Sequence, residues 1–156
     1  ALRTSDLVTE VYWKLAAGRL APLPGLTGFL DRLDGLGIAV ATSARRRSAL
    51  RMLRELALLD RFAAIITADD VVHGKPHPEP FLTAANRLGA PPGRCLAIED
   101  SPAGLQAARA AGMTCVGLTT THGDLPDAHV VIDSYEDPRL LALLAGEDGF
   151  IREEAP

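Results

Sequence analysis

The sequence predicts an α/β fold, a doubly wound parallel sheet with helices on both faces. From residue 25 onward, short apolar segments alternate with longer segments whose apolar residues recur at helical spacing. The short segments are apolar almost throughout, which is typical of parallel strands that are buried on both faces. With 47% hydrophobic and 23% charged residues, a chain of 156 residues can build one domain around a hydrophobic core.

The predicted elements follow one another in regular alternation. Glycines close several helical segments, and prolines near the start of a helix are confined to its first turn. The strands are predicted at 38–42, 63–67, 95–99, 114–118 and 129–133. The helices are predicted at 26–36, around Leu50, Leu53 and Leu56, and at 78–88, 102–111 and 140–144. Residues 5–18 form one further predicted helix, which no strand precedes.

The composition argues against several classes of partner. A net charge of -4 disfavours nucleic acid and anionic membranes, and 4% aromatic residues are too few for a base-stacking surface. No apolar run approaches the ~20 residues of a membrane span and nothing resembles a signal peptide, so we expect a cytoplasmic protein. Cys95 and Cys115 lie in short apolar runs. We predict that both are buried thiols in strands rather than zinc ligands or a disulfide.

Polar residues follow three of the predicted strands. Thr42 and Ser43 end the first, Lys75 lies in the loop after the second, and Glu99 and Asp100 end the third. Lys75 is unusual because only two of the 16 basic residues are lysines. Ligands bind outside the carboxyl ends of strands in open parallel sheets, so we expect these groups to meet at one edge.

Each of these signals has a structural explanation when taken alone. Thr42, Asp100 or Ser101 could cap a helix, and a loop lysine is usually solvated. Together, a hydroxyl, an ammonium and two carboxylates are the groups needed to bind a phosphoryl group and Mg2+. The four histidines are interpreted as ordinary loop residues: His73 and His77 flank Lys75, but no acidic residue joins them in a metal-ligand spacing.

Three segments resemble a known family. LGIAVATSARR, AAIITADDVVHGKPHPEPFLTAANRLG and CLAIEDSPAGLQAARAAGMTCVGL are similar to motifs II, III and IV of the haloacid dehalogenase superfamily. The similarity is greatest to its β-phosphoglucomutase-like and sugar-phosphatase branch and covers residues 22–145. The G-K-P-x-P-x-x-[FY] and E-D-S-x-x-G-x-x-A-A-x-x-A-G patterns, in this order, are highly specific.

The resemblance implies roles for the residues at the strand ends. Thr42 matches the hydroxyl that binds the transferring phosphoryl group, with Ser43 adding a backbone contact. Lys75 matches the lysine that neutralises the phosphoryl charge. Glu99 and Asp100 match the acids that hold Mg2+, with Asp100 as the direct ligand.

Two further sets of residues fall within the matching segments. Arg45 and Arg46 lie where this branch sometimes contacts substrate, although exposed arginines are common at such positions. Gly104, Ala108 and Gly112 match small residues that let a helix pack closely.

The family's first motif, an apolar strand followed by D-x-D-G-[TV], does not occur in this sequence. In the family its first aspartate attacks the phosphoryl group and its second is the general acid and base. We therefore expect residues 1–20 to be a remnant of a helical cap, residues 21–146 a core that lacks its first strand, and residues 147–156 a C-terminal tail.

The expected function is Mg2+-dependent hydrolysis of a small phosphomonoester, a sugar phosphate, through an aspartyl-phosphate. The chain alone is expected to be inactive and monomeric, with a small phosphorylated metabolite as its partner and no nucleic acid or membrane. Two alternatives stay open: a phosphomutase in the complete protein, and a non-catalytic module that binds a phosphate or a protein partner.

Overall fold

The computed structural model describes residues 18–145, which contain five strands and five helices. The tail 147–156 and all but the last residue of the helix predicted at 5–18 lie outside the described residues. Those two expectations therefore stay predictions.

The strands form two parallel sheets whose order agrees with the predicted α/β class. β1 (Ala39–Ala41) pairs with β2 (Ala64–Ile66) in one sheet. In the other, β4 (Thr114–Leu118) lies between β3 (Leu96–Glu99) and β5 (Val130–Ile132). All pairs are parallel, so the carboxyl ends of neighbouring strands lie at the same edge.

Helices connect the strands, as the spacing of apolar residues predicts. They are α1 (Leu26–Asp31), α2 (Arg46–Glu55), α3 (Glu79–Leu88), α4 (Pro102–Ala110) and α5 (Pro138–Ala145). Two 3-10 turns, Leu59–Arg61 and Pro92–Arg94, were not predicted. Between residues 18 and 145, no helix combines the length and apolar character needed to cross a bilayer.

The helix predicted at 26–36 is shorter than its apolar pattern suggests. It was expected to continue to Leu36 but ends at Asp31, and the chain then forms turns in which Leu33 and Leu36 donate to carbonyls three residues earlier. Gly35 has a φ of 83°, which a helix does not permit. Leu33 is still buried, whereas Leu36 is 56% exposed.

The core lies on both faces of the strands, as a doubly wound fold requires. Helices α3 and α4 pack on one face, where Leu105 and Cys115 are completely buried. Helices α1 and α5 cover the other face, where Val116 and Leu140 are completely buried. Because side chains alternate along β4, its neighbouring residues Cys115 and Val116 belong to opposite faces.

One of the two cysteine predictions is wrong. Cys115 is buried in β4 as expected, and burial raises the pKa of its thiol to about 11. Cys95 precedes β3 and is only partly buried, although burial still raises its pKa. The apolar run CLAI therefore begins one residue before the strand itself, at the end of a 3-10 turn.

The glycines of α4 have different roles. Gly104 and Ala108 are buried in the helix, but Gly112 is exposed and no atom would contact a Cβ added there. Gly112 has a φ of 81° and ends the helix. The expected packing role of Gly112 is therefore wrong.

Candidate functional site

An apolar cleft separates the two sheets. Within the described residues, β1 pairs only with β2, and β3 pairs only with β4. One edge of β1 and one edge of β3 therefore have no strand partner among these residues. The cavity between β1 and β3 has a volume of about 360 Å³ and is lined by both strands and by apolar side chains of α1 and α3, including Phe29 and Phe81. The carboxyl ends of β1 and β3 therefore lie on opposite sides of its mouth.

Lys75 spans this mouth. Its ammonium forms an ion pair with the carboxylate of Glu99 at the end of β3, and donates to the carbonyl oxygen of Ala41 at the end of β1, at 2.9 Å. The side chains of Lys75 and Glu99 are only 10% and 9% exposed. The ammonium also lies 4.9 Å from the centre of the Phe81 ring, a cation–π contact. A buried ammonium thus joins two strands that do not pair with each other.

Glu99 is held in place by the start of α4. The hydroxyl of Ser101 donates to its Oε2 at 3.2 Å, and also accepts from the backbone N–H of Gly104 at 3.1 Å as the N-cap of the helix. A Cβ on Gly104 would overlap the Glu99 carboxylate. Gly104 therefore makes room for this carboxylate, in addition to the helix packing that the sequence suggested.

Asp100 contacts a different part of the chain. Its Oδ2 accepts from the hydroxyl of Thr121 at 2.6 Å and from that of Thr120 at 3.5 Å. The Nδ1 of His122 lies 3.0 Å from the carbonyl oxygen of Asp100. The loop after β4 thus lies beside the acidic pair, and the sequence had suggested no role for it. A run of threonines directly after a strand was the signal that could have found it.

Tyr135 is a second neighbour of the acidic pair that the sequence did not single out. Burial raises the pKa of its hydroxyl, and the charges of Asp100 and Glu99 raise it further. Its ring lies 5.6 Å from that of Phe29, in the core beneath the cleft. Tyr135 therefore links the acidic pair to the apolar wall of the cleft.

The donor set at the end of β3 fits Mg2+. Two neighbouring carboxylates and the hydroxyls of Thr120 and Thr121 supply the hard oxygen ligands that this cation prefers. The charge of Glu99 is already balanced by Lys75, whereas the described partners of the Asp100 carboxylate are neutral hydroxyls. Asp100 is thus the better placed of the two to hold a cation.

Thr42 follows Ala41 and so lies at the same mouth. Its backbone N–H donates to Ile66, and its hydroxyl oxygen accepts from the N–H of Ala44 at 3.1 Å. The residue at the N-cap of α2 is Arg45, so the alternative in which Thr42 caps this helix is wrong. The Thr42 hydroxyl proton can still be donated to a ligand.

Arg45 and Arg46 form ion pairs with the acidic residues that follow β2. Arg45 pairs with Asp69, and Arg46 pairs with Asp70 at 2.5 Å. Asp69 also accepts from the backbone N–H of Arg46 at 2.8 Å, which satisfies a free donor at the start of α2. These contacts give both arginines a structural role, and contact with substrate stays a prediction.

Asp70 is fixed by a buried threonine. Its Oδ2 accepts from the hydroxyl of Thr67 at 2.6 Å and from the backbone N–H of Thr67 at 2.8 Å. The hydroxyl of Thr67 and the guanidinium of Arg46 lower the pKa of Asp70 to about 2. Asp70 therefore stays ionised at neutral pH and anchors the loop that leads to Lys75.

Known proteins resemble this chain in sequence and in fold. The family model of the haloacid dehalogenase-like hydrolases matches residues 2–112. This chain belongs to that family. The membership that motifs II, III and IV predicted is thus confirmed, and so is the α/β fold of this haloacid dehalogenase-like chain.

Several relatives are similar to this haloacid dehalogenase-like chain. Validoxylamine A 7'-phosphate phosphatase of Streptomyces hygroscopicus subsp. limoneus is 45% identical over 65% of the chain and 49% of its own length. β-Phosphoglucomutase of Bacillus subtilis is 38% identical over 68% of the chain and 48% of its own length. The crystal structure of CbbY from Rhodobacter sphaeroides in complex with phosphate is 32% identical, with a TM-score of 0.76 over 90% of the chain and 65% of that structure. The chain spans about half the length of these curated relatives.

Proposed function

We propose that this chain supplies the phosphoryl-binding and Mg2+-binding part of a phosphatase site for a small phosphomonoester, a sugar phosphate. The observation that carries the proposal is the position of Lys75, a buried ammonium held across the mouth of the cleft between Ala41 and Glu99. Such a charge, next to hydroxyl and carboxylate groups, suits a phosphoryl group whose transfer depends on positioning and charge neutralisation.

Each residue has a distinct task in this proposal. An ammonium has three N–H donors, and two of those on Lys75 are directed to Ala41 and Glu99, which leaves one for a phosphoryl oxygen. Thr42 donates its hydroxyl, and Ser43 its backbone N–H, to the same group. Asp100 and Glu99 hold Mg2+, which balances negative charge on the phosphoryl oxygens.

The nucleophile is proposed to enter on a strand that fills the cleft between β1 and β3. Within residues 18–145, the facing edges of these strands have no strand partner, and the cleft between them is apolar. A parallel strand placed there would bring an aspartate at its carboxyl end beside Lys75. Residues 21–146 are accordingly proposed as a core without this strand, and residues 1–20 as part of a cap.

The proposed reaction has two steps. A carboxylate oxygen of the aspartate bonds to phosphorus while the ester P–O bond breaks, and a proton passes to the leaving oxygen. Water then attacks the aspartyl-phosphate and releases inorganic phosphate. If a sugar hydroxyl replaces water, the same site acts as a phosphomutase. The similarity to a named phosphatase and to a named phosphoglucomutase supports this class of reaction.

The test is hydrolysis of p-nitrophenyl phosphate with Mg2+. The purified 156-residue chain should show no turnover. A fusion that adds an apolar strand ending in Asp-x-Asp-Gly, joined to the amino end by a flexible linker, should gain Mg2+-dependent activity.

The matched control is the same fusion in which the first aspartate of the added Asp-x-Asp-Gly segment is changed to asparagine. This control should be inactive. Turnover by the unmodified chain would contradict the proposal that it lacks a nucleophile. Inactivity of a folded fusion that also fails to bind inorganic phosphate would contradict the phosphoryl site itself.

A further inference from the structure

A second group of metal-ligating side chains lies in the loop between β2 and α3. It consists of His73, His77 and Glu79, here called the histidine–glutamate cluster. One ligand atom from each of these residues lies within 4.8 Å of the others. Among residues 18–145, it is the one set of three histidine, cysteine or acidic side chains that meets this condition. The cluster shares no residue with the Mg2+ site proposed above.

The carboxylate of Glu79 is fixed by the backbone. It accepts from the N–H of Val72 at 2.8 Å and from that of His73 at 2.9 Å. These two bonds, more than the nearby imidazole, lower the pKa of Glu79. The Glu79 carboxylate is therefore held in position by the backbone before any cation arrives.

The two imidazole rings are already beside this carboxylate. The Nδ1 of His73 lies 3.0 Å from Glu79 Oε2, and the ring centres of His73 and His77 are 4.6 Å apart. Since an ionised carboxylate can only accept, Nδ1 of His73 is the donor in this contact. If the proton moves to Nε2, the Nδ1 lone pair is free, so a cation can take the proton's place between His73 and Glu79.

His77 can become a third metal ligand with little rearrangement. Its Nδ1 accepts from the backbone N–H of Glu79 over a long 3.2 Å, and its ring is exposed. Ligand atoms around a tetrahedral zinc ion lie roughly 3.3 Å apart, given Zn–N and Zn–O distances of about 2.0–2.2 Å. Rotation of two exposed rings can bring the ligand atoms from their present spacing to that distance.

We propose that His73, His77 and Glu79 bind a divalent transition-metal cation of the zinc class. Two imidazoles and one carboxylate form the ligand set that suits Zn2+, Co2+ or Ni2+, whereas Mg2+ prefers oxygen ligands alone. Lys75 lies between the two histidines in the chain, so a cation bound here restrains the loop that carries the phosphoryl-binding ammonium. The site therefore differs from the acidic pair both in its residues and in the class of metal that it binds.

The test is isothermal titration of the full chain with Zn2+ in excess Mg2+, so that the acidic pair is occupied by its own cation. The wild-type chain should bind one equivalent of Zn2+. His73→Ala and His77→Ala should each weaken Zn2+ binding by at least about tenfold, because each removes one ligand. Glu79→Gln should also weaken binding, because it removes the charge.

Two controls test for other zinc ligands. His122→Ala removes an exposed histidine outside the cluster, and Cys95→Ser removes the partly buried thiol, and neither should change the affinity for Zn2+. Circular dichroism will establish that each variant is folded. Wild-type chain that does not bind Zn2+, or His73→Ala and His77→Ala variants that bind it with unchanged affinity, would overturn the proposal.

Discussion

The ammonium of Lys75 and the carboxylate of Glu99 form a buried ion pair across the mouth of the cleft, although Glu99 ends a strand of one sheet and Lys75 lies in the loop that follows a strand of the other. Because Lys75 also donates to Ala41, a single side chain fixes the relative position of the carboxyl ends of β1 and β3. The same contact that stabilises the domain thus places a positive charge where a phosphoryl group is proposed to bind.

The Lys75–Glu99 pair should show strong coupling in a double-mutant cycle. Removing one partner leaves a buried charge unpaired, so we expect Lys75→Met or Glu99→Gln alone to cost about 3 kcal/mol of unfolding free energy. The double variant should be less destabilised than the sum of the two single variants. Urea denaturation monitored by circular dichroism measures this, and additive losses would show that the pair does not contribute as a unit.

Gly104→Ala should destabilise the protein, although alanine is normally the better helix residue. The added methyl group would overlap the Glu99 carboxylate, so we expect a loss of about 1–3 kcal/mol from forced repacking. Gly28→Ala is the matched control, because Gly28 lies in α1 with no atom near an added Cβ.

In that control, alanine should stabilise the protein by about 0.5–1 kcal/mol. Thermal and urea unfolding of both variants tests the pair of predictions. Equal gains in stability at Gly104 and Gly28 would show that the position of the Glu99 carboxylate is not restricted by the helix.

Asp70 should make stability depend on pH in the acid range. Its pKa is lowered from 3.8 to about 2 in the folded protein, so its contribution is fully present above pH 3.8 and is lost as the pH falls through about 2. Thr67→Val removes the hydroxyl donor, and the pKa of Asp70 should then rise. The contribution of Asp70 to stability should therefore be smaller in the variant, and its loss should be complete at a higher pH than in the wild type.

Thr67→Ser is the control for Asp70, because serine keeps the hydroxyl and loses only a methyl group. Unfolding free energies measured between about pH 4 and pH 2 compare the pH dependence of the three proteins. The same acid dependence in Thr67→Val and wild type would argue against the hydroxyl as the main cause of the low pKa.

The threonines after β4 should influence Mg2+ binding at Asp100. Thr121 donates to Asp100 at 2.6 Å, so Thr121→Val should weaken Mg2+ binding by about tenfold, as expected when a group that orients a ligand is lost. Thr120→Val is the control, since its hydroxyl lies 3.5 Å away, and it should have a smaller effect. Asp100→Asn should have the largest effect of the three.

NMR titration with Mg2+ measures these affinities even where binding is weak. A Thr121→Val variant with wild-type affinity would show that the hydroxyl does not orient Asp100 for the cation. An Asp100→Asn variant with wild-type affinity would move the Mg2+ site away from β3.

The sequence was enough to predict the order of strands and helices, because burial on both faces leaves a nearly continuous apolar run wherever a parallel strand occurs. β4 agrees with its predicted range of 114–118 at both ends. The same reasoning failed for Cys95 and Leu36, whose apolar character did not indicate burial. An apolar residue at the end of an element can face solvent, because its burial depends on which residues surround it in three dimensions.

The chemical groups at the strand ends could be chosen from the sequence, because their types and order match a phosphoryl-binding pattern. The contact partners of these groups could not be predicted from the sequence. Lys75 joins Ala41 to Glu99, and Thr121 contacts Asp100, only because distant segments approach each other. Glu79 lies beside two histidines because of the way its own loop folds. Local sequence determines which residues form a strand or a helix, whereas contacts between side chains far apart in the chain exist only once the sheets and helices have packed.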